Sequence, residues 1–164
     1  DPTIAVVEPH LARNRFDRDV QELPGDVVSV ERATSNGILA RRQAIEDVGP
    51  IREDLFVGLE DWDYSRRTLE RGWRMRQLRK PLGIHPNRNP GGPIIPKPIR
   101  HYYACRNELI LRPSPTPSRV ARQFLGIVGD LLRYRSPEVA WARMAAISDG
   151  LRGRGGLTHR SFKD

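Results

Sequence analysis

A single cysteine, Cys105, stands in 164 residues, which excludes an internal disulfide and fits a reducing compartment. Long hydrophobic runs are missing too: no stretch reaches the roughly 18 apolar residues that a bilayer-spanning helix needs, and the opening residues do not read as a signal peptide. Lysine is confined to Lys80, Lys97 and Lys163, so arginine carries almost all of the net charge of +8. Such a balance favours polyanions (nucleic acid, anionic lipid or a phosphorylated substrate), or it reflects an arginine-favouring genome. There is no zinc-ligand spacing, no RNA-binding aromatic motif and no phosphate-holding motif, and the basic residues are spread rather than blocked. No nucleic-acid partner is therefore expected. The length suits one domain or a large part of one, and a hydrophobic fraction of 38% against 29% charged leaves much surface wet.

Turn signals divide the chain. Ile4-Ala-Val-Val7 reads as a short buried strand ended by Pro9, followed by a polar, turn-rich stretch over 10–26. Val27–Val30 and Gly37–Ala40 are further strand candidates. Arg41–Val48 reads as a helix stopped by Gly49-Pro50. Asp61–Arg71 is the next helix, with acids in its first turn, arginines toward its end and Gly72 as its stop. Trp73–Leu78 alternates like a strand, and an apolar run closes at Leu82-Gly-Ile84. Residues 86–98 hold five prolines and are expected to be irregular, either a substrate lid or disordered. Beyond them the pattern is helical: His101–Leu111, Arg119–Arg135, and a third helix opened by Ser136-Pro137-Glu138 and ending near Gly150. Val120, Phe124, Ile127, Val128, Leu131 and Leu132 share one face of the second of these. That face is expected to pack on the preceding domain, the alternative being an anionic membrane. Residues 153–164 read as a tail. Strands followed by helices, with no internal repeat, predict an α/β domain with a helical extension.

The most telling segment is Gly58-Leu-Glu-Asp-Trp-Asp-Tyr-Ser-Arg-Arg67. It sets Glu60, Asp61 and Asp63 at a helix start, with His85 24 residues after Asp61. Acids at a helix N-terminus together with a metal-competent imidazole are the parts needed to deprotonate a hydroxyl beside a cation. Each part also has a plain structural reading. Asp61 suits a helix cap, Glu60 and Asp63 could bond backbone amides or pair with Arg66 or Arg67, Trp62 could be core, and His85 could be a loop-edge histidine.

The run Ser35-Asn36-Gly37-Ile-Leu-Ala-Arg-Arg, Val48-Gly49, Asp54-Leu-Phe, Glu60-Asp61-x-Asp63, Arg71-Gly72-Trp73 and His85 resembles the C-terminal half of inverting family 2 glycosyltransferases. The nearest likeness is to the bacterial rhamnosyltransferase-like group, with galactofuranosyltransferases a near relative. Arg100-His-Tyr-Tyr-Ala-Cys-Arg-Asn107 resembles their Tyr-Tyr…Arg-Asn helix, and Asp149-Gly-Leu-Arg-Gly-Arg-Gly155 their closing Asp-Gly…Gly-Arg segment. The likeness runs from Asp1 to about Gly156.

The resemblance implies a GT-A, Rossmann-like fold: residues 1–98 as the acceptor-side half of the domain, 99–152 as a helical extension and 153–164 as a tail. It implies transfer of a sugar from a nucleotide-sugar donor to a glycan or lipid-linked acceptor in cell-envelope or exopolysaccharide synthesis. Asp61 would be the catalytic base. Ser35, Asn36, Gly37, Glu60, Trp62 and Asp63 would contact acceptor, with Trp62 stacking on a sugar ring, and Ser35-Asn36-Gly37 reads equally as a turn entering a strand. His85 would join the shell of a divalent metal, Mn or Mg, held mainly by an Asp-x-Asp motif. No such motif precedes Ser35, so the donor-binding half is expected upstream of Asp1 and the chain alone is expected to be inactive. The expected location is cytoplasmic, with peripheral contact at the inner face of the membrane through residues 119–151. The competing readings are a non-catalytic basic module binding anionic membrane or polyanions, and an inactive truncated remnant.

Overall fold

A computed structural model describes residues 1–12, 26–34, 37–84, 97–112, 116–160 and 162. The chain is α/β and divides into two compact units: Asp1–Ile51 with Asp61–Gly92, and Arg52–Glu60 with Pro93–Asp164. The division assigns the short loop before the acidic helix to the second, helical unit.

The first unit is built on a four-stranded mixed sheet of order β2-β4-β1-β3, with β1 Ile4–Ala12, β2 Val27–Ser29, β3 Leu39–Ala40 and β4 Arg74–Ile84. β1 pairs parallel with β4 and antiparallel with β3, and β2 pairs antiparallel with β4. β1 does not stop at Pro9, and β4 runs past Leu78 to Ile84. The physical reason lies in the pairing. β3 meets β1 only at Val6 and Val7, and the β1–β4 register shifts between Glu8 and His10, so Pro9 sits at an irregularity where no ladder N–H is required. Residues 10–12, expected to be turn-rich, therefore extend the strand, while 13–25 lie outside the described residues.

Two helices belong with this sheet: α1, Arg42–Val48, and α2, Glu60–Glu70. α1 ends as its Gly-Pro signal predicts, with Gly49 at φ 83° donating its N–H to Ile45 O at 2.9 Å. α2 ends at Gly72, φ 82°, in a Schellman pattern: Gly72 N–H bonds Leu69 O and Trp73 N–H bonds Thr68 O. Ala5, Val6, Ala33, Ala44, Val48, Tyr64 and Met75 form the core of this unit.

The second unit is helical: α3 Lys97–Ile110, α4 Pro117–Tyr134 and α5 Pro137–Leu151. α3 begins at Lys97 rather than His101, because Pro98 falls in the first turn, where its missing N–H costs nothing. Of the proline-rich stretch, 86–96 lie outside the described residues. α5 starts as Ser136-Pro137 predicts, the Ser136 side chain accepting from Val139 N–H. Tyr102, Tyr103, Cys105 and Leu109 of α3 pack on Ala142, Ala145, Ala146 and Ile147 of α5. Gly150 lets the two approach closely: a Cβ there would lie 2.8 Å from Leu109 Cβ.

The expectation for α4 is corrected. Phe124, Leu125, Val128, Leu131 and Leu132 are exposed, Val120 and Ile127 are half-buried with Ile127 packed on the helical core, and the fully buried residues are Gln123 and Asp130. The inward face is polar because Arg143 of α5 takes both of them, Asp130 at 2.7 Å and Gln123 at 2.8 Å. Residues 153–160, read as a tail, carry no helix or strand and are docked on this unit. Arg160 bonds Asp149, Tyr103 Oη accepts from Thr158 N–H, and Phe162 packs on the core. Among the described residues no helix is long and apolar enough to cross a membrane.

Candidate functional site

α2 and the stretch Arg32–Thr34 come together in the first unit. Ser65 on α2 accepts from Ala33 N–H at 3.1 Å and donates to Ala33 O at 3.4 Å. Glu8, buried in the central strand β1, accepts from both the N–H and the hydroxyl of Thr34. Arg32 is thereby brought onto Asp61: its Nη2 donates to Oδ1 at 3.0 Å and to Oδ2 at 3.2 Å. Oδ1 also accepts from Trp62 N–H at 2.7 Å. Backbone and guanidinium together fix the orientation of this carboxylate.

The acids of α2 differ in access. The Asp61 side chain keeps 16% of its surface and its arginine partner 52%, so solvent reaches the pair. Asp63 is 1% exposed and is held within its own helix, by Arg67 at 2.8 Å and Arg66 at 3.4 Å. Arg67 carries on to Val48 O and Pro50 O, at 2.7 and 2.9 Å, tying α2 to the end of α1. An exposed pair is cheap to exchange, worth about 0–1 kcal/mol. Breaking a buried one by removing a partner costs about 3–5 kcal/mol. Glu60 is half-buried, and among the described residues no donor reaches its Oε2. Trp62 is half-buried with Arg66 5.8 Å from its ring centroid.

Gly37 has φ 91°, the left-handed region that glycine enters at no steric cost, and a Cβ there would meet Pro9 at 3.6 Å. Ser35, Asn36 and His85 lie outside the described residues. Among the described residues, no three His, Cys, Asp or Glu side chains are grouped so that they could hold a metal ion.

The other quoted segments meet in the second unit. Arg106, 1% exposed, donates to Asp54 O, Leu55 O and Gly156 O. Asn107, fully buried, donates to Leu55 O, Val57 O and Gly58 O. Gly156 N–H in turn bonds Asp54 O, and a Cβ on Gly155 would lie 2.7 Å from Asp54. These bonds hold a loop whose Phe56 (φ 60°), Gly58 (φ 84°) and Leu59 (φ 69°) are all left-handed. Non-glycine residues adopt that conformation only where surrounding bonds impose it. Asp149 accepts from Tyr102 Oη at 3.0 Å and from Arg160 at 3.1 and 3.2 Å. Burial raises its carboxyl, but the bonds from Arg160 and Tyr102 outweigh that and leave it below the usual range.

Sequence reading missed Arg32, Glu8 and the pinning role of Arg106 and Asn107. No local pattern marks Arg32 or Glu8, because their partners are 29 and 26 residues away. No protein-family model, characterised protein or solved structure matches the chain.

Proposed function

We propose that the chain is the acceptor-side half of a GT-A inverting glycosyltransferase, with Asp61 as the base that takes the acceptor proton. One observation carries the reading. Of the aspartates at the start of α2, Asp61 alone is solvent-accessible, oriented by a backbone N–H, and paired with an exposed cation that can give up one of its two oxygens while holding the other.

In the proposed step an acceptor hydroxyl takes the place of Arg32 on one Asp61 oxygen, while Arg32 keeps the other and holds the carboxylate in place. Its proton passes to that oxygen as its own oxygen bonds the sugar's anomeric carbon. The bond from that carbon to the diphosphate breaks on the opposite face, and the nucleoside diphosphate leaves with the electron pair. A positioned base contributes about a hundred- to ten-thousand-fold in such a step. Asp63 and Arg67 hold α2 to α1, and Trp62 offers an aromatic face to the sugar. Ser35, Asn36 and Gly37 follow directly on the pinned Arg32–Thr34 stretch, which favours them as acceptor contacts.

The test uses the complete gene product containing this chain, assayed for transfer from a nucleotide sugar to a glycan or lipid-linked acceptor. Asp61→Asn is expected to lower transfer at least about a hundredfold, with nucleotide-sugar binding by calorimetry unchanged. Transfer by that variant at the unsubstituted rate would end the proposal.

A further inference from the structure

Helix α4 is fastened to its neighbours mainly by polar groups. Arg143 of α5 reaches Gln123 at 2.8 Å and Asp130 at 2.7 Å, about one turn to either side of Gly126. A Cβ on Gly126 would lie 2.9 Å from Arg143 Nη1, so the glycine makes room for the guanidinium against the helix. The amide nitrogen of Gln123 donates to Glu108 of α3 at 2.6 Å, and Glu108 also accepts from Arg122 at 2.6 Å. Glu108, Gln123, Arg143 and Asp130 thus form one chain across three helices. The Arg143 and Asp130 side chains keep 17% and 10% of their surface, so water has some access to the pair.

Apolar contact adds little to this. Of the aliphatic side chains of α4, Val120 and Ile127 are half-buried and none is fully buried. α3 and α5, by contrast, bury Tyr102, Tyr103, Leu109 and Ile147 against each other. Polar groups regain water when they part, so their net contribution is small beside that of buried apolar surface. Elements with few buried apolar contacts open at lower free energy than the core they border. The connection to α5 runs through Arg135, a left-handed residue at φ 50° and ψ 32°, and such element-terminal positions absorb hinge rotation.

We propose that α4 is a detachable strap: it leaves α3 and α5 as one unit, turning about Arg135, while the α3–α5 core stays closed, and Arg143 is the latch that holds it. Sugar transfer plays no part in the readout.

Hydrogen exchange of the complete gene product, read by mass spectrometry, tests this. An isolated helix of 18 residues is marginal in water, so the α4 amides exchange once the helix has left. They are expected to exchange about a hundredfold faster than those of residues 103–109 and 142–147. Arg143→Met leaves Asp130 without its cation and is expected to speed α4 about tenfold further, with α3 unchanged. Raising sodium chloride from about 0.1 to 1 M screens the partly accessible pair and should speed α4 in the unsubstituted protein. Should Arg143→Met fail to fold, the salt series decides alone. Exchange of α4 and α5 at one common rate would overturn the proposal, as would loss of α5 protection together with α4 in high salt. So would α4 exchange that neither the substitution nor salt changes.

Discussion

Arg32 reaches both oxygens of Asp61, at 3.0 and 3.2 Å, from 29 residues earlier in the chain. The reach is possible because Ala33 and Thr34, the next two residues, are bonded to Ser65 and Glu8. A partly exposed pair of this kind adds about 0–1 kcal/mol to stability. Its consequence under the proposed function is geometric.

Arg32→Ala should therefore leave thermal stability nearly unchanged and act on turnover. With orientation left to one backbone N–H, kcat for transfer should fall about tenfold while the KM for donor stays put. Steady-state kinetics with the donor varied would separate the two. Unchanged kcat would reduce the pair to a surface contact.

Asn107 should behave in the opposite way. Its amide nitrogen is the hub for Leu55, Val57 and Gly58 carbonyls, and the side chain is fully buried. Asn107→Leu fills similar volume but takes the amide donor from Val57 O and Gly58 O and the acceptor from Arg106 Nε–H, while Leu55 O keeps Arg106 Nη2, at about 1–3 kcal/mol for each group left truly unsatisfied. A loss of several kcal/mol in urea unfolding is expected, whereas Asn107→Asp, which removes the amide donor but keeps an oxygen for Arg106 Nε–H, should lose less. A loss below about 1 kcal/mol would show that water substitutes for the amide.

The sequence was informative where the cause is local. Gly49-Pro50, Gly72 and Ser136-Pro137 terminate or start helices through their own backbone preferences, and α1, α2 and α5 stop or begin there. β1 and β4 ran past their prolines because the register irregularity that admits them is set by the pairing of the two strands. The apolar periodicity of α4 was legible, but its direction was not. One arginine on α5, Arg143, turned the polar side inward. At the candidate site the acids could be listed from sequence, yet the distinction between accessible Asp61 and buried Asp63 needed the positions of Arg32 and α1.

Gly150 and Gly72 offer a matched pair. A Cβ at Gly150 would stand 2.8 Å from Leu109 Cβ and 3.0 Å from Arg106 O, inside the α3–α5 contact. Gly150→Ala should cost about 1–3 kcal/mol through overpacking, despite the higher helix propensity of alanine. At Gly72 nothing among the described residues lies within 4 Å of a Cβ, and the strain is that of the backbone, φ 82°. Gly72→Ala should cost about 1 kcal/mol. Thermal melts of both variants check the order, and a smaller loss at Gly150 would mean that the helices separate without penalty.

Cys105 sets a dependence on alkaline pH. Burial against α5 pushes its thiol up to about 12, with the Arg143 charge opposing and Glu108 and Asp130 reinforcing the rise. Below the unfolded value of 9.0 the thiol is protonated in both states and contributes no slope. Above it the unfolded chain releases a proton that the folded chain keeps. Stability must then fall as pH rises toward about 12, by about 1.4 kcal/mol per pH unit from this group once the unfolded thiol is fully ionised. Tyr64, raised by burial, adds a loss of the same sign at higher pH. Urea midpoints measured across pH 8 to 10 should decline more steeply for the unsubstituted chain than for Cys105→Ala, which cannot ionise. Parallel declines would place the alkaline sensitivity elsewhere. The same burial predicts that a thiol reagent leaves Cys105 untouched until the helices of the second unit open.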